Sequence, residues 1–394
     1  MTSLFDFGSK VVKDIKHETD SEAHQFLRKF IDDRQDVNES GPTMSVHYLT
    51  DHLDLKTIDL SQWGDEVNEY GPTTGIKELR EAVAGSTDDP TMIPGGADWH
   101  SQELYNEEYR QDQESKYTYE NVCITPGGRA GMARLAAVIV TYQIPEYTTY
   151  LEVLSVFKRL IPIPTALDAR DKYKLNLEQL KAEIENLNLS VVIASNPRNP
   201  TGQCISGDEL RDLVHLAREK TTVILDEFYS WYQYPDDPKE LGTSLSGARY
   251  VEDVNEVCII HVIGISAKYR LPGWRVCWVV APKNVISAIS QSGSFLDGGA
   301  SHVLQKAAIS LLDYERVQQD KISLQIAFRI KRDHVLDRLE KMGLKVSIPP
   351  VATFYIWLDL KGLNSPLNNG LTFFEELLKF WTKVVGVGQR VGCD

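Results

Sequence analysis

Cysteine is scarce in this sequence, positive charge is in deficit, and no long apolar run occurs. The five cysteines among the 394 residues, Cys123, Cys204, Cys258, Cys277 and Cys393, are scattered and never form a Cys-x-x-Cys pair. That pattern argues against a disulfide framework and a structural zinc, and it fits a reducing, cytoplasmic setting. Lysine and arginine number 42 against 56 aspartates and glutamates, a net charge of −14. Nucleic acid and anionic membrane both need a basic surface, so neither is expected as a partner. An anionic ligand would have to be held by a few local arginines or backbone N–H groups. No apolar stretch approaches the ~20 residues of a membrane span. Residues 1–17 are too charged for a signal peptide. What is present is ordinary globular usage, 42% hydrophobic and 25% charged, over a length that suits two domains.

The middle of the chain alternates short apolar runs with amphipathic stretches, the pattern of an α/β sheet. Val191–Ala194, Thr222–Leu225, Val257–Ile263 and Val276–Val280 read as buried strands, and Gly207–Glu219 as a helix between the first two. The first three strands run into polar, unusual sequence: Asn196 to Gly202, Asp226 to Tyr229, and Gly264 to Lys268. Ligands of open α/β sheets bind outside the carboxyl ends of the strands, so one site is expected there. Further on, Asp313 to Met342 reads as one helix with Ile322, Ile326 and Ile330 on one face, and Phe354 to Leu358 as a strand. These place a large domain over 45–312 and a smaller α+β domain from 1–44 with 313–394, incomplete at its C-terminal end. Gly85 to Glu103, rich in glycine, proline and aspartate, reads as an insertion into a helix.

Several motifs carry chemistry, and each also has a plain structural reading. The glycine turn Thr125-Pro-Gly-Gly-Arg-Ala-Gly131 precedes a helical pattern, and a helix N-terminus with free N–H groups suits phosphate. It also reads as a plain strand-to-helix turn. Asp226 ends a buried strand, where an acid needs a cationic or hydrogen-bonded partner. It can hold a pyridinium nitrogen protonated or cap the next element. Arg275, in Pro272-Gly-Trp-Arg275, can make a bidentate phosphate contact or a surface ion pair. Tyr147 can stack on a planar ring or sit in the core. Asn199, between two prolines, has an amide fixed by a rigid turn or satisfied locally.

Taken in order, Asn199-Pro200-Thr201-Gly202, Asp226-x-x-Tyr229 and Pro272-Gly-Trp-Arg275 resemble the pyridoxal-phosphate-dependent aminotransferases of class I/II, fold type I. The resemblance covers roughly Val67 to Leu360. It is nearest to fungal members, which share the reading NEYGPTTGIKELREAVA of Asn68 to Ala84. It implies a mainly parallel-sheet large domain that binds pyridoxal 5'-phosphate. Gly128 and Arg129 match the phosphate-binding turn, Arg275 the phosphate arginine and Tyr147 the ring-stacking aromatic. Asp226 matches the acid on the ring nitrogen, which makes the ring an electron sink. Asn199 and Tyr229 match the pair on the phenolic oxygen. Tyr70 matches a tyrosine that reaches the phosphate of the other subunit, which implies a homodimer. The implied reaction moves an amino group between an amino acid and a 2-oxo acid.

The catalytic lysine departs from the pattern. In the family it lies eight residues before the phosphate arginine and forms the internal aldimine. Counting back from Arg275 gives Ala267, and Lys268 is one residue nearer. Three readings stand open. Lys268 reaches the ring through a loop one residue shorter, Ala267 is a substitution that removes the covalent link, or the sequence carries an error there. The late arginine that clamps the substrate carboxylate is also unmatched, since Arg390 lies in a different context. Two rivals to the aminotransferase reading follow: a catalytically inactive pyridoxal-phosphate-binding protein of the same fold, and another fold type I reaction such as a lyase.

Overall fold

The computed structural model describes residues 69–85, 104–136, 142–144, 164–217, 221–257, 259–264, 271–312 and 314–384. Up to the central strands, the elements are α1 (Lys77–Ala84), α2 (Leu104–Tyr109), β1 (Val122–Thr125), α3 (Gly128–Ala136), β2 (Tyr142–Ile144), β3 (Pro164–Ala166) and α4 (Leu177–Leu187). Then come β4 (Val191–Ser195), α5 (Gly207–Leu216), β5 (Thr222–Asp226), β6 (Ile259–Gly264) and β7 (Cys277–Val280). The helices α6 (Lys283–Leu296), α7 (His302–Ile309), α8 (Tyr314–Lys341) and α9 (Gly370–Val384) follow.

The strands form one sheet in the order β1-β7-β6-β5-β4-β2-β3. Neighbours run parallel except at β7, which is antiparallel to both β1 and β6. A mainly parallel sheet must be covered on both faces, which is why its strands read as unbroken apolar runs. Side chains alternate along each strand. Val192, Ala194, Val223, Leu225 and Trp278 therefore enter one core, with Leu79 and Val83 of α1 and Leu210 and Leu213 of α5. Val191, Ile193, Ile224, Val262 and Val279 enter the other, with Met132 and Leu135 of α3 and Ile286 and Ile289 of α6. The expected α/β architecture is thus present.

Helix α8 buries a polar side. The isoleucine stripe of α8 is its outer side, with Ile322, Ile326 and Ile330 between 36% and 44% exposed. The buried side carries Val317 and Leu324 together with Lys321 and Gln325. Lys321 Nζ lies 2.7 Å from Glu108 Oε1. Gln325 accepts from the Gly242 N–H and donates to the carbonyls of Thr243 and Trp231. Polar fit, not apolar periodicity, decides which side of this helix is buried. One local expectation is corrected: Phe354 to Leu358 is not a regular strand. Thr353 has φ +65°, which breaks an extended run, and only Ala352 pairs, in an isolated bridge to Gln233.

Of the described residues, those up to Ile330 with Pro350–Ile356 form one compact unit, and Lys331–Pro349 with 357–384 form a second. In the second, Leu339, Met342 and Leu344 are buried where α8 ends, and Gly343 (φ +81°) turns the chain.

The Glu108–Lys321 pair is 7% and 1% exposed, so removing one partner strands a buried charge. Lys321→Ala should lower unfolding free energy by about 3–5 kcal/mol, read from the urea midpoint. Replacing both residues by Leu and Met should restore most of that loss. A single variant with an unchanged midpoint would contradict a buried pair.

Candidate active site

Register brings the predicted residues to one edge. Ser195 lies opposite Asp226, and Asp226 opposite Val262, across the parallel strands β4, β5 and β6. Cys277, the first residue of β7, lies opposite both Gly264 and Thr125. The C-terminal ends of β1, β4, β5 and β6 and the start of β7 therefore share an edge. This is where open α/β sheets bind ligands.

The turn after β1 leads into α3. Gly127 has φ +97°, a conformation that favours glycine, and a Cβ built there would collide with Nη2 of Arg275. The guanidinium thus lies directly on the turn at the helix start. The first N–H groups of a helix have no intrahelical acceptor, and they face the positive end of the dipole. Arg275 is itself left-handed (φ +53°) and exposed, and its Nη1 donates to the Pro272 carbonyl at 2.9 Å. Arg129, the second residue of α3, is exposed. The turn, the helix end and the arginine make one electropositive cup in a chain of −14 net charge.

Asp226 closes β5. Its carbonyl accepts from the Asn196 N–H at 2.9 Å, and its Oδ1 accepts from the Phe228 N–H at 3.2 Å. Asn196 also binds Ile205 through both amide atoms, each at 2.9 Å. Asn199 is 9% exposed, and its backbone N–H donates to Ser195 Oγ at 3.1 Å. Tyr229 donates to or accepts from Tyr355 across 3.0 Å between the two hydroxyls. Burial first, then the Tyr355 hydrogen bond and the Asp226 charge, hold the Tyr229 phenol above its ordinary range, so it stays protonated at neutral pH. Tyr70 is 96% exposed and projects from the segment that precedes α1. Tyr147, Ala267 and Lys268 lie outside the described residues.

Three residues at this edge carry no motif. Glu227 is fully buried and accepts from Ser246 Oγ (2.7 Å) and the Gly247 N–H (2.8 Å), with His261 Nδ1 at 3.1 Å. Its neighbour Phe228 packs on the glycine turn, where a Cβ at Gly128 would strike its ring. The turn after β5 is therefore pinned on one face by Glu227 and on the other by Phe228. The only signal for Glu227 was a second acid beside Asp226. Nothing local pointed to Phe228 or Tyr355.

The sheet order, the shared edge and the cup define a fold type I α/β protein. An aspartate aminotransferase double mutant from Thermus thermophilus superposes with a TM-score of 0.65 at 20% identity, over 93% of this chain and 87% of that one. A probable aspartate/prephenate aminotransferase of Aquifex aeolicus is 22% identical over 93% of each chain. A probable N-acetyl-LL-diaminopimelate aminotransferase of Bacillus subtilis is 30% identical over 79% of this chain and 70% of that protein. The pattern that defines the class I and II aminotransferases matches residues 47–393. The chain belongs to that family, whose enzymes are generally dependent on pyridoxal phosphate.

Gly127→Ala forces both a strained φ and a displaced Arg275. Pyridoxal phosphate affinity by titration calorimetry should fall at least about tenfold, 1.4 kcal/mol, while thermal unfolding stays cooperative. Unchanged affinity would mean that this turn does not hold the phosphate.

Proposed function

We propose that the chain binds pyridoxal phosphate at this strand edge, in a site arranged for moving an amino group between an amino acid and a 2-oxo acid. The observation that carries the reading is the packing of the Arg275 guanidinium on the Gly127 turn at the start of α3. A dianionic phosphate fits that donor set of guanidinium and helix N–H groups. When bound, the cofactor supplies an electron sink for the amino acid's α-carbon.

In this reading the backbone N–H groups of Gly128 and Arg129, with Arg275, hold the phosphate. Asp226 keeps a proton on the ring nitrogen, and its place at a strand end pinned on both faces supports that role. Asn199 and the protonated Tyr229 hydrogen-bond the phenolic oxygen. Tyr147 enters on the resemblance alone, as the ring-stacking aromatic. The almost wholly exposed Tyr70 supports a homodimer in which it reaches the partner copy's phosphate. The large domain, expected over 45–312, carries the site; among the described residues the segment up to Ile330 and Pro350–Ile356 belong to the same compact unit. A cytoplasmic setting belongs to the same reading; among the described residues no helix is long and apolar enough to cross a membrane.

The chemistry also needs an amine that binds the cofactor and then carries a proton to and from the substrate. Ala267 cannot supply one. That single residue favours a second reading, a protein that binds the cofactor without turnover. Lys268 is the alternative amine. Borohydride reduction of the loaded protein and peptide mapping separate the two: a label on Lys268 makes the chain an enzyme as it stands, and bound cofactor without a label makes it a binding protein.

Ala267→Lys should raise transamination on the order of 100-fold or more, the scale of general acid–base catalysis. Adding Asp226→Ala should abolish the gain. A folded, cofactor-loaded Ala267→Lys protein with no gain would show that 267 is not the lysine position.

A further inference from the structure

Tyr355 belongs to none of the sequence motifs, yet its hydroxyl is the hydrogen-bond partner of Tyr229, 126 residues away. The two rings meet edge to face, with centroids 5.7 Å apart and planes at 83°. The chain brings Tyr355 there by backbone contacts. The N–H groups of Val351 and Ala352 both donate to the Gly202 carbonyl, at 2.9 and 3.0 Å, and the Thr353 N–H donates to the Tyr232 carbonyl at 2.7 Å. The left-handed turn at Thr353 then presents Phe354 and Tyr355 in succession, and the Tyr355 N–H donates to Thr353 Oγ1 at 3.2 Å. Phe354 closes the cage, with its ring 5.3 Å from Tyr229 and 5.4 Å from Tyr232. Tyr229 is thus held by rings on several sides and by one hydroxyl.

We propose that Tyr355 is a positioning residue for Tyr229: its hydroxyl grips the Tyr229 hydroxyl and sets the direction in which Tyr229 offers its proton to a ligand. The proposal rests on the reading that Tyr229 faces the cofactor's phenolic oxygen. A phenol has one proton and two lone pairs. In the free protein either tyrosine can donate to the other. With a ligand oxygen in reach, Tyr355 donates to the Tyr229 oxygen and the Tyr229 proton goes to the ligand. Such a chain polarises, so the second hydrogen bond gains from the first. Burial comes first in holding the Tyr229 phenol neutral, so that it has a proton to offer.

Tyr355→Phe keeps the ring and removes only the hydroxyl, so packing is preserved. The protein is prepared with 13C at the tyrosine ζ-carbons, and Tyr229→Phe identifies the Tyr229 line among the 17 tyrosines. In Tyr355→Phe the Tyr229 line should move, because the Tyr229 oxygen loses its hydrogen-bond partner. An unmoved line overturns the proposal, with or without cofactor. In a second arm, pyridoxal phosphate is added and the pH midpoint of the bound chromophore is followed by absorbance. Tyr355→Phe should shift that midpoint upward, and the shift should vanish in a Tyr229→Phe background. A shift that persists there overturns the proposal, because Tyr355 would then act without Tyr229. If Tyr229→Phe alone leaves the chromophore unchanged, or no cofactor binds, the functional reading of Tyr229 fails and the carbon spectrum alone decides the pairing.

Discussion

The register between β4, β5 and β6 is the constraint on which the site depends. Ser195, Asp226 and Val262 lie in one row across three parallel strands. Successive strand residues face opposite sides of a sheet, so a slip of one residue would send Asp226 into the other core. The slip is prevented by two apolar cores that interlock with alternate residues. Leu225 belongs to one and Ile224 to the other. The antiparallel β7 completes the arrangement, because its first residue pairs with the last residues of β1 and β6. Arg275, two residues before β7, is thereby delivered to the same edge as the glycine turn.

Around that row, the chain holds its polar groups by short backbone anchors. Asn196 ties the loop after β4 to Asp226 and to Ile205. Glu227 and Phe228 pin the turn after β5 from opposite faces. Arg275 takes a left-handed φ, at a cost of about 1–3 kcal/mol for a non-glycine residue, and lies on Gly127 as a result. The positive potential is therefore made locally, by one side chain and one helix end. The protein as a whole remains strongly acidic.

Strands, helices and the shared edge were legible because buried parallel strands are continuous apolar runs bounded by turn residues. Val191–Ser195 and Thr222–Asp226 each extend the expected strand by a single residue. Asp226 and Arg275 stood out for the same reason, as charges at strand ends. The residues that escaped notice act through distant contacts. Phe228 matters because of Gly128, a hundred positions earlier, and Tyr355 because of Tyr229. Periodicity showed the isoleucine face of α8 but not which side is buried, because Lys321 and Gln325 find buried polar partners on the other side. It read a strand into Phe354 to Leu358, where the turn at Thr353 intervenes. The alanine at 267 was visible only by counting from Arg275, since a missing lysine leaves no pattern of its own.

In the proposed reading, one strand edge holds pyridoxal phosphate by the Gly127 turn, the start of α3, Arg275 and Asp226. A crystal structure of the protein grown with pyridoxal phosphate is the decisive measurement. The phosphate is expected at the N-terminus of α3 within hydrogen-bond distance of Arg275, with the pyridine nitrogen against Asp226. A phosphate bound elsewhere, or a ring nitrogen turned away from Asp226, would contradict it.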